Sequence, residues 1–192
     1  MNTVDSEHDD EKFNNINFSE KKSNSNEYSN CTFNNCNFTK ADISENKFNE
    51  CKFNNCNFSI TNIEQCKFQN VKFTECKFMG TDFRKINTFL LIFAFENCLI
   101  DSCNFSSLKL NKIDFIDCKL INCNFNKTNL FKSNFNGTNL ENTEFHECNL
   151  AEVDFRKAIN YSINPNTNNI KKSKFSNPEV ISLLKYHDII IE

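Results

Sequence analysis

Large apolar residues recur at intervals of five along most of this chain. One series runs Phe33, Phe38, Ile43, Phe48, Phe53, Phe58, Ile63, Phe68, Phe73, Phe78, Phe83. A second runs Leu90, Phe95, Ile100, Phe105, Leu110, Phe115, Leu120, Phe125, Leu130, Phe135, Leu140, Phe145, Leu150, Phe155. Between Phe83 and Leu90 the step is seven, so two extra residues sit there. A period of five matches neither the 3.6 of an amphipathic helix nor the 2 of an alternating strand. Two places before the centres stand all eleven Cys, from Cys31 and Cys36 to Cys123 and Cys148. Elsewhere that column holds Ala41, Thr61, Val71, Thr128, Ser133, Thr138 and Thr143. The other three places of each five are mostly Asn, Lys, Ser, Asp or Glu. Each unit thus sends one large and one small residue inward and three outward.

A longer period lies on top. Laid on residues 51–70, residues 31–50 are identical at ten of the twenty positions. Four units then make one turn of a coil, and equal positions lie above one another. Such coils, stacked at the ~4.8 Å spacing of paired strands, hydrogen-bond each to the next. Duplication of a twenty-residue block would leave the same superperiod. The small residues follow from a narrow core, which has no room for two large residues per side.

Composition agrees. The chain has 192 residues, with 22 Phe, no Trp, 2 Gly and 2 Pro, so one domain is expected, and not a loop-rich sandwich. The N-terminus is acidic, with no basic-then-apolar leader. The longest apolar run, Phe89 to Phe95, is too short to span a bilayer. A soluble cytoplasmic protein with reduced thiols is the expectation.

The units "CNFTK", "ADISE", "CKFNN", "TNLFK", "SNFNG" and "TNLEN" closely resemble the A(D/N)LXX repeat of the pentapeptide-repeat family. The resemblance covers about residues 31–157. It implies an all-β fold, a right-handed quadrilateral β-helix with a short C-terminal capping α-helix. The expected organisation is a disordered acidic tail over 1–11 and an irregular first coil or loop over 12–30. The solenoid then runs over 31–157, interrupted near 84–97, and a loop and helix occupy 158–192. Ser23 at a centre, and Glu11 and Lys21 at small-residue places, mark the ragged start. At the other end "YSINPNTNN" (161–169) reads as a loop. Asn177–Pro178 reads as a helix N-cap and first position, with a Ser176/Glu179 capping box as the alternative.

This tail resembles that of quinolone-resistance (Qnr-type) and related mycobacterial members, whose terminal helix pairs two subunits. The resemblance implies a homodimer through Val180, Leu183, Leu184, Ile189, Ile190 and Ile191. It also implies DNA gyrase or topoisomerase IV, both type II topoisomerases, as protein partner. A cap without dimerisation is the plainer reading of the same residues.

Chemistry-bearing patterns are sparse. The Cys column is read as core packing rather than metal ligation. Gly80 and Gly137 are isolated, so there is no Gly-rich phosphate loop. Asp42, Asp82, Asp114 and Asp154 occupy an outward repeat position and read as turn residues. No catalytic, cofactor or metal site is expected, and a rod offers no enzyme-like pocket. Residues 1–11 hold five acids and no base, leaving 22 bases against 20 acids in the remainder. That balance is neither an acidic DNA-like rail nor a basic nucleic-acid track. In "RKINTFLLIFAFEN" (84–97) apolar residues outnumber inward slots. With Leu90 and Phe95 as centres, Phe89, Leu91, Ile92 and Ala94 face out, forming an interface or a local bulge. Two readings stand, a topoisomerase-interacting protein of the quinolone-resistance type and a rigid interaction scaffold with an unrelated partner.

Overall fold

The computed structural model describes residues 6–187, 189 and 190. The chain winds into a four-sided β-helix of about eight turns. On the first side the strands Glu7–Asp9, Glu27–Ser29, Lys47–Asn49 and Lys67–Gln69 pair in parallel. On the second, six strands pair from Lys12–Asn14 to Asp114–Ile116. On the third, Lys77–Met79, Leu99–Asp101 and Lys119–Ile121 pair, and Asn17, Asn37 and Asn57 bridge below them. Bridges Lys22↔Asp42↔Asn62 and Asp82↔Asn104↔Asn124↔Glu144 trace the fourth. The register is twenty residues where Phe33 meets Phe53, twenty-two where Phe73 meets Phe95, and eighteen where Glu144 meets Ser162.

Identical centres above one another turn sequence period into ring stacking. Phe13, Phe33, Phe53, Phe73, Phe95, Phe115, Phe135, Phe155 and Phe175 form one unbroken pile, with centroids 4.6 to 5.3 Å apart. These separations follow from the strand spacing, and neighbouring piles meet edge to face, the other favourable aromatic geometry.

Fit is only half the reason for the Cys/Thr/Ser column. Most of these side chains donate to the carbonyl of a centre one coil earlier, while Cys103 and Cys118 donate to a carbonyl two residues before them. Thr61 Oγ1 bonds the Phe38 oxygen at 2.8 Å, Thr128 that of Phe105 at 3.0 Å, and Cys76 Sγ that of Phe53 at 3.3 Å. The sulfurs also accept, since the amides of Cys56, Cys76 and Cys98 point to the sulfur one coil on, at 3.3 to 3.4 Å. Cys36, Cys56, Cys76, Cys98 and Cys118 form the expected axial column, and all eleven thiols are free and buried. These contacts pair backbone groups that would otherwise lie unpaired in an apolar core.

Corners carry the chain's strain. Nearly every fifth residue has a left-handed φ of 50–63° without being glycine. Asn takes several of these places (Asn15, Asn35, Asn55, Asn122), but Lys40, Glu50 and even Ile60 take others. At the position before many centres, Asn or Asp accepts the amide two residues on, as Asn37 does from Thr39 and Asn57 from Ser59, both at 3.0 Å. This explains the Asn/Asp preference.

The winding passes both expected limits. Glu7–Asp9 pairs with Glu27–Ser29, so residues 7–11 belong to the first coil and not to a disordered tail; residues 1–5 lie outside the described residues. Residues 12–30 keep register because His8, Phe13, Phe18 and Tyr28 extend the ring piles. Glu11 and Lys21 are tolerated because they stay exposed, and Ser23 is half-buried. Glu11 meets His8, and Lys21 donates to the Asn17 carbonyl. Past Phe155 the "loop" also belongs to a coil. Tyr161 and Ile163 are buried, and Asn168 takes a small-residue place, bonding the Phe145 carbonyl and the Cys148 amide. Regular pairing continues to Lys174.

The terminal helix, Glu179–Tyr186, is 3-10 rather than α. Its docking residues explain the pitch. Val180 packs on the core, Leu183 is buried, and the Tyr186 hydroxyl meets Ser162 Oγ at 2.7 Å. These are three apart, and three residues make one 3-10 turn. Neither expected cap forms. Pro178 starts the helix after a cis Asn177–Pro178 bond, without a side-chain cap. Ser176 Oγ instead accepts the Lys157 amide at 2.7 Å.

Candidate protein-binding surface

Where the fifth coil should place a centre on the first side, the chain leaves the rod. Asn87 still bonds the coil below through its amide, and then residues 88–91 bulge outward. Ile92 returns, its amide donating to the Phe68 carbonyl and its carbonyl accepting from Val71, both at 3.0 Å. The base is pinned on both sides. Leu90 is not a centre. It has φ 53° and is 61% exposed. Phe93, in a small-residue place opposite Val71, turns in to fill the vacated space. Ile86, Leu108 and Ile113 are also large, buried residues in small-residue places around the gap. Five-residue counting missed this, although four oversized small-column residues in one region are a readable signal.

The expected interface residues therefore divide. Phe89 and Ile92 are exposed, at 67% and 61%. Leu91 is half-buried against the core, and Ala94 lies half-buried on the outward face of the strand Phe93–Glu96. Leu90 joins the exposed set. Phe89, Leu90 and Ile92 together form an apolar knuckle on a polar rod. Between it and the next coil lies a cleft of about 240 Å³, lined by Leu91, Ile92, Phe93, Leu110 and Ile113 with Asn111 and Lys112 at its edge.

At the C-terminal end Val180 and Leu183 face the rod, whereas Leu184, Ile189 and Ile190 are exposed, together with Ile181, which the sequence reading did not single out. Ile191 lies outside the described residues.

Most of the remaining surface is polar and largely self-satisfied. Asn54 Nδ2 donates to Asn34, and Asn34 to Asn14, at 2.9 and 2.8 Å, and Asn169, Asn149 and Asn129 repeat this at 3.0 Å. Charges alternate between coils, with Lys40 on Glu20, Lys72 on Glu96, Lys127 on Glu147 and Lys132 on Glu152. The outward carboxylates are structural. Arg84 and Arg156 each grip the carboxylate two residues earlier, and these guanidinium bonds hold Asp82 and Asp154 below the usual carboxylate range. Burial pushes Asp114 up. Burial likewise pushes the Cys51 and Cys103 thiols up to about 12. Among the described residues no cluster of His, Cys, Asp or Glu could hold a metal ion, and no helix is long and apolar enough to cross a membrane.

The solved structures similar to this rod are other repeat rods. A trypsin-treated variant of QnrB1, described as a plasmid-mediated fluoroquinolone resistance protein, matches with a TM-score of 0.75 at 17% identity, over 98% of this chain and 98% of that one. A second trypsin-treated QnrB1 variant matches at 0.64 and 17% identity, over 97% and 100%. HetL, a pentapeptide-repeat protein involved in heterocyst differentiation regulation in the cyanobacterium Nostoc, matches at 0.50 and 10% identity, over 88% and 84%. At these identities the likeness is one of fold. No curated protein matches in sequence. A sequence model described as "Pentapeptide repeat region" matches residues 26–105, 92–162 and 108–181. Between them these matches cover most of the winding, and the chain belongs to the pentapeptide-repeat family.

Proposed function

We propose that this protein is a non-catalytic binding rod that engages a type II topoisomerase through the knuckle at Phe89, Leu90 and Ile92. One observation carries the protein-binding part, three large apolar side chains held out together on a pinned loop of a mostly polar surface. Clustered exposed apolar residues mark interaction sites on soluble proteins. The topoisomerase part is supported by likeness of shape to QnrB1 along nearly the whole of both chains. The electrostatics separate it from an acidic mimic of DNA. Glu20, Glu96, Glu147 and Glu152 pair with lysines one coil away, and bases and acids are nearly balanced over residues 12–192. Steering by a long-range field is therefore weak, and added salt removes little of the affinity.

The test is a supercoiling assay with purified gyrase, with and without ciprofloxacin, repeated with Phe89→Asp and Ile92→Asp. Relief of drug inhibition by the native rod, lost in both variants at unchanged melting temperature, is expected. Full relief by both variants, or binding that collapses at moderate salt, would move the contact to acidic clusters elsewhere. No binding at any salt leaves the rod as a scaffold for an unrelated protein.

A further inference from the structure

The cleft beside the knuckle has a chemistry of its own. Its floor is Phe93, Leu110 and Ile113, each only 4–5% exposed, and its outer wall is the loop. At about 240 Å³ it is smaller than the roughly 300–1,000 Å³ of a usual small-molecule site. It has room for an apolar side chain. Half-buried Phe131 sits above its edge, its carbonyl taking the Lys112 amide at 2.9 Å.

Charge along the loop is one-sided. From Phe83 to Phe95 the chain carries Arg84 and Lys85 and no acid. Lys67 stands one coil below the loop, in register with Lys47, and Lys109 adjoins Leu110 on the coil above. Lys112 is at the edge itself. Five lysines elsewhere on the rod, Lys40, Lys47, Lys72, Lys127 and Lys132, pair with acids of an adjacent coil. Lys109 and Lys112, like most of the described lysines, have no such ion pair. Three carboxylates near the loop are engaged. Asp82 is held by Arg84, Glu96 by Lys72, and Asp114 lies on the adjacent side within reach of Asn134.

We propose that the cleft between the loop and the coil above it receives an apolar side chain from an extended acidic segment of the protein partner, with Lys112 at the cleft and Lys109 beside Leu110 facing its acids. This rests on the protein-binding reading of the same surface. An apolar socket with a cationic rim selects an apolar anchor flanked by acids and rejects one flanked by bases.

The probes are two labelled peptides, each with two central leucines, one flanked by glutamates and one by lysines, and vesicles of phosphatidylcholine with phosphatidylserine. The full-length rod is expected to bind the acidic peptide at least about tenfold more tightly than the basic one. The Lys109→Glu/Lys112→Glu variant should lose or invert that preference at unchanged melting temperature, because both side chains are exposed. Ile92→Asp should weaken the acidic peptide. Equal affinity for the two peptides, no binding of either, or no effect of the charge reversal would overturn the proposal. So would capture of vesicles with no peptide binding, which would make the knuckle a lipid-facing device. Gyrase separates this inference from the broader one. Peptide binding without any gyrase response removes the topoisomerase and keeps the cleft. An undiminished gyrase response in Lys109→Glu/Lys112→Glu keeps the topoisomerase and removes the cleft.

Discussion

Ile60 shows what this fold demands of single residues. It sits at a corner with φ 58° and is 58% exposed. A β-branched residue is costly there, while Asn tolerates the left-handed region. Ile60→Asn gives up little burial and is expected to stabilise the rod by about 1 kcal/mol, a rise of roughly 2–4 °C in Tm by calorimetry. The thiols make an opposite demand. Burial raises the Cys51, Cys66, Cys103 and Cys123 thiols above the ordinary value of 9.0, Cys51 and Cys103 to about 12. An acid whose folded pKa is raised stabilises fully below its unfolded pKa, and that stability is lost as pH rises towards the folded one. Stability should thus be flat below pH ~8.5 and fall above it, by about 1.4 kcal/mol per pH unit for each such thiol. Melting between pH 7 and 11, with thiolate absorbance followed alongside, tests this. Constant stability to pH 11 would show that the thiols are not sealed.

At the scale of the five-residue unit, Phe58 and Asn57 give the contrast. Phe58 is fully buried, stacked on Phe38 and Phe78 at 4.7 and 4.8 Å. Phe58→Ala should cost about 3–5 kcal/mol. Asn57 faces outward, yet its side chain holds the Ser59 amide and hydroxyl. Asn57→Ala should therefore cost about 0.5–1.5 kcal/mol rather than nothing. Equal Tm losses in urea-free melts of the two variants would contradict the inward and outward assignment. The unit itself was legible from spacing alone, because a coil with equal sides repeats its inward pair at equal intervals. The oxygen and sulfur bonds of the small column were not, since Cys and Thr suit a small slot by size before any hydrogen bond is considered. The knuckle was half legible. Excess apolar residues announced it, but Leu90 fell on the five-residue count by coincidence. Phe93 turned inward only because a neighbouring centre was missing.

The whole rod has unlike ends. The first described coil carries Glu11, Lys21 and Ser23 at small-residue or centre places, so polar groups stand at that end of the described winding. Beyond the last coil Ile181, Leu184, Ile189 and Ile190 are exposed beside a docked helix. We expect association at that end only, as a closed homodimer rather than a growing fibre. Leu184→Asp with Ile190→Asp should give monomers with an unchanged melting profile, since neither side chain covers the core. Deleting residues 177–192 should also fray the last coils by uncovering Tyr161 and Ile163. Light scattering at tens of micromolar (roughly the weak end for functional dimers) decides it, and a monomeric native protein there would end the proposal. Terminal segments were the least legible part. Period counting stopped at Phe155, whereas pairing runs on to Lys174 with Asn168 standing in for a thiol.

The register of about twenty residues between partners also governs how such a molecule comes into being. Each side finds its neighbour after the same short length of chain, whether near the start or near the end. Average contact separation stays near a tenth of the chain length, a value otherwise typical of helical proteins and unusual for an all-β one. The entropic cost of closing each turn is therefore constant, and only the first pair of coils forms without a template. On the ribosome the rod can lengthen at the pace of synthesis. Each completed turn offers a finished edge to the next one, and the helix Glu179–Tyr186 docks on the last of the described turns.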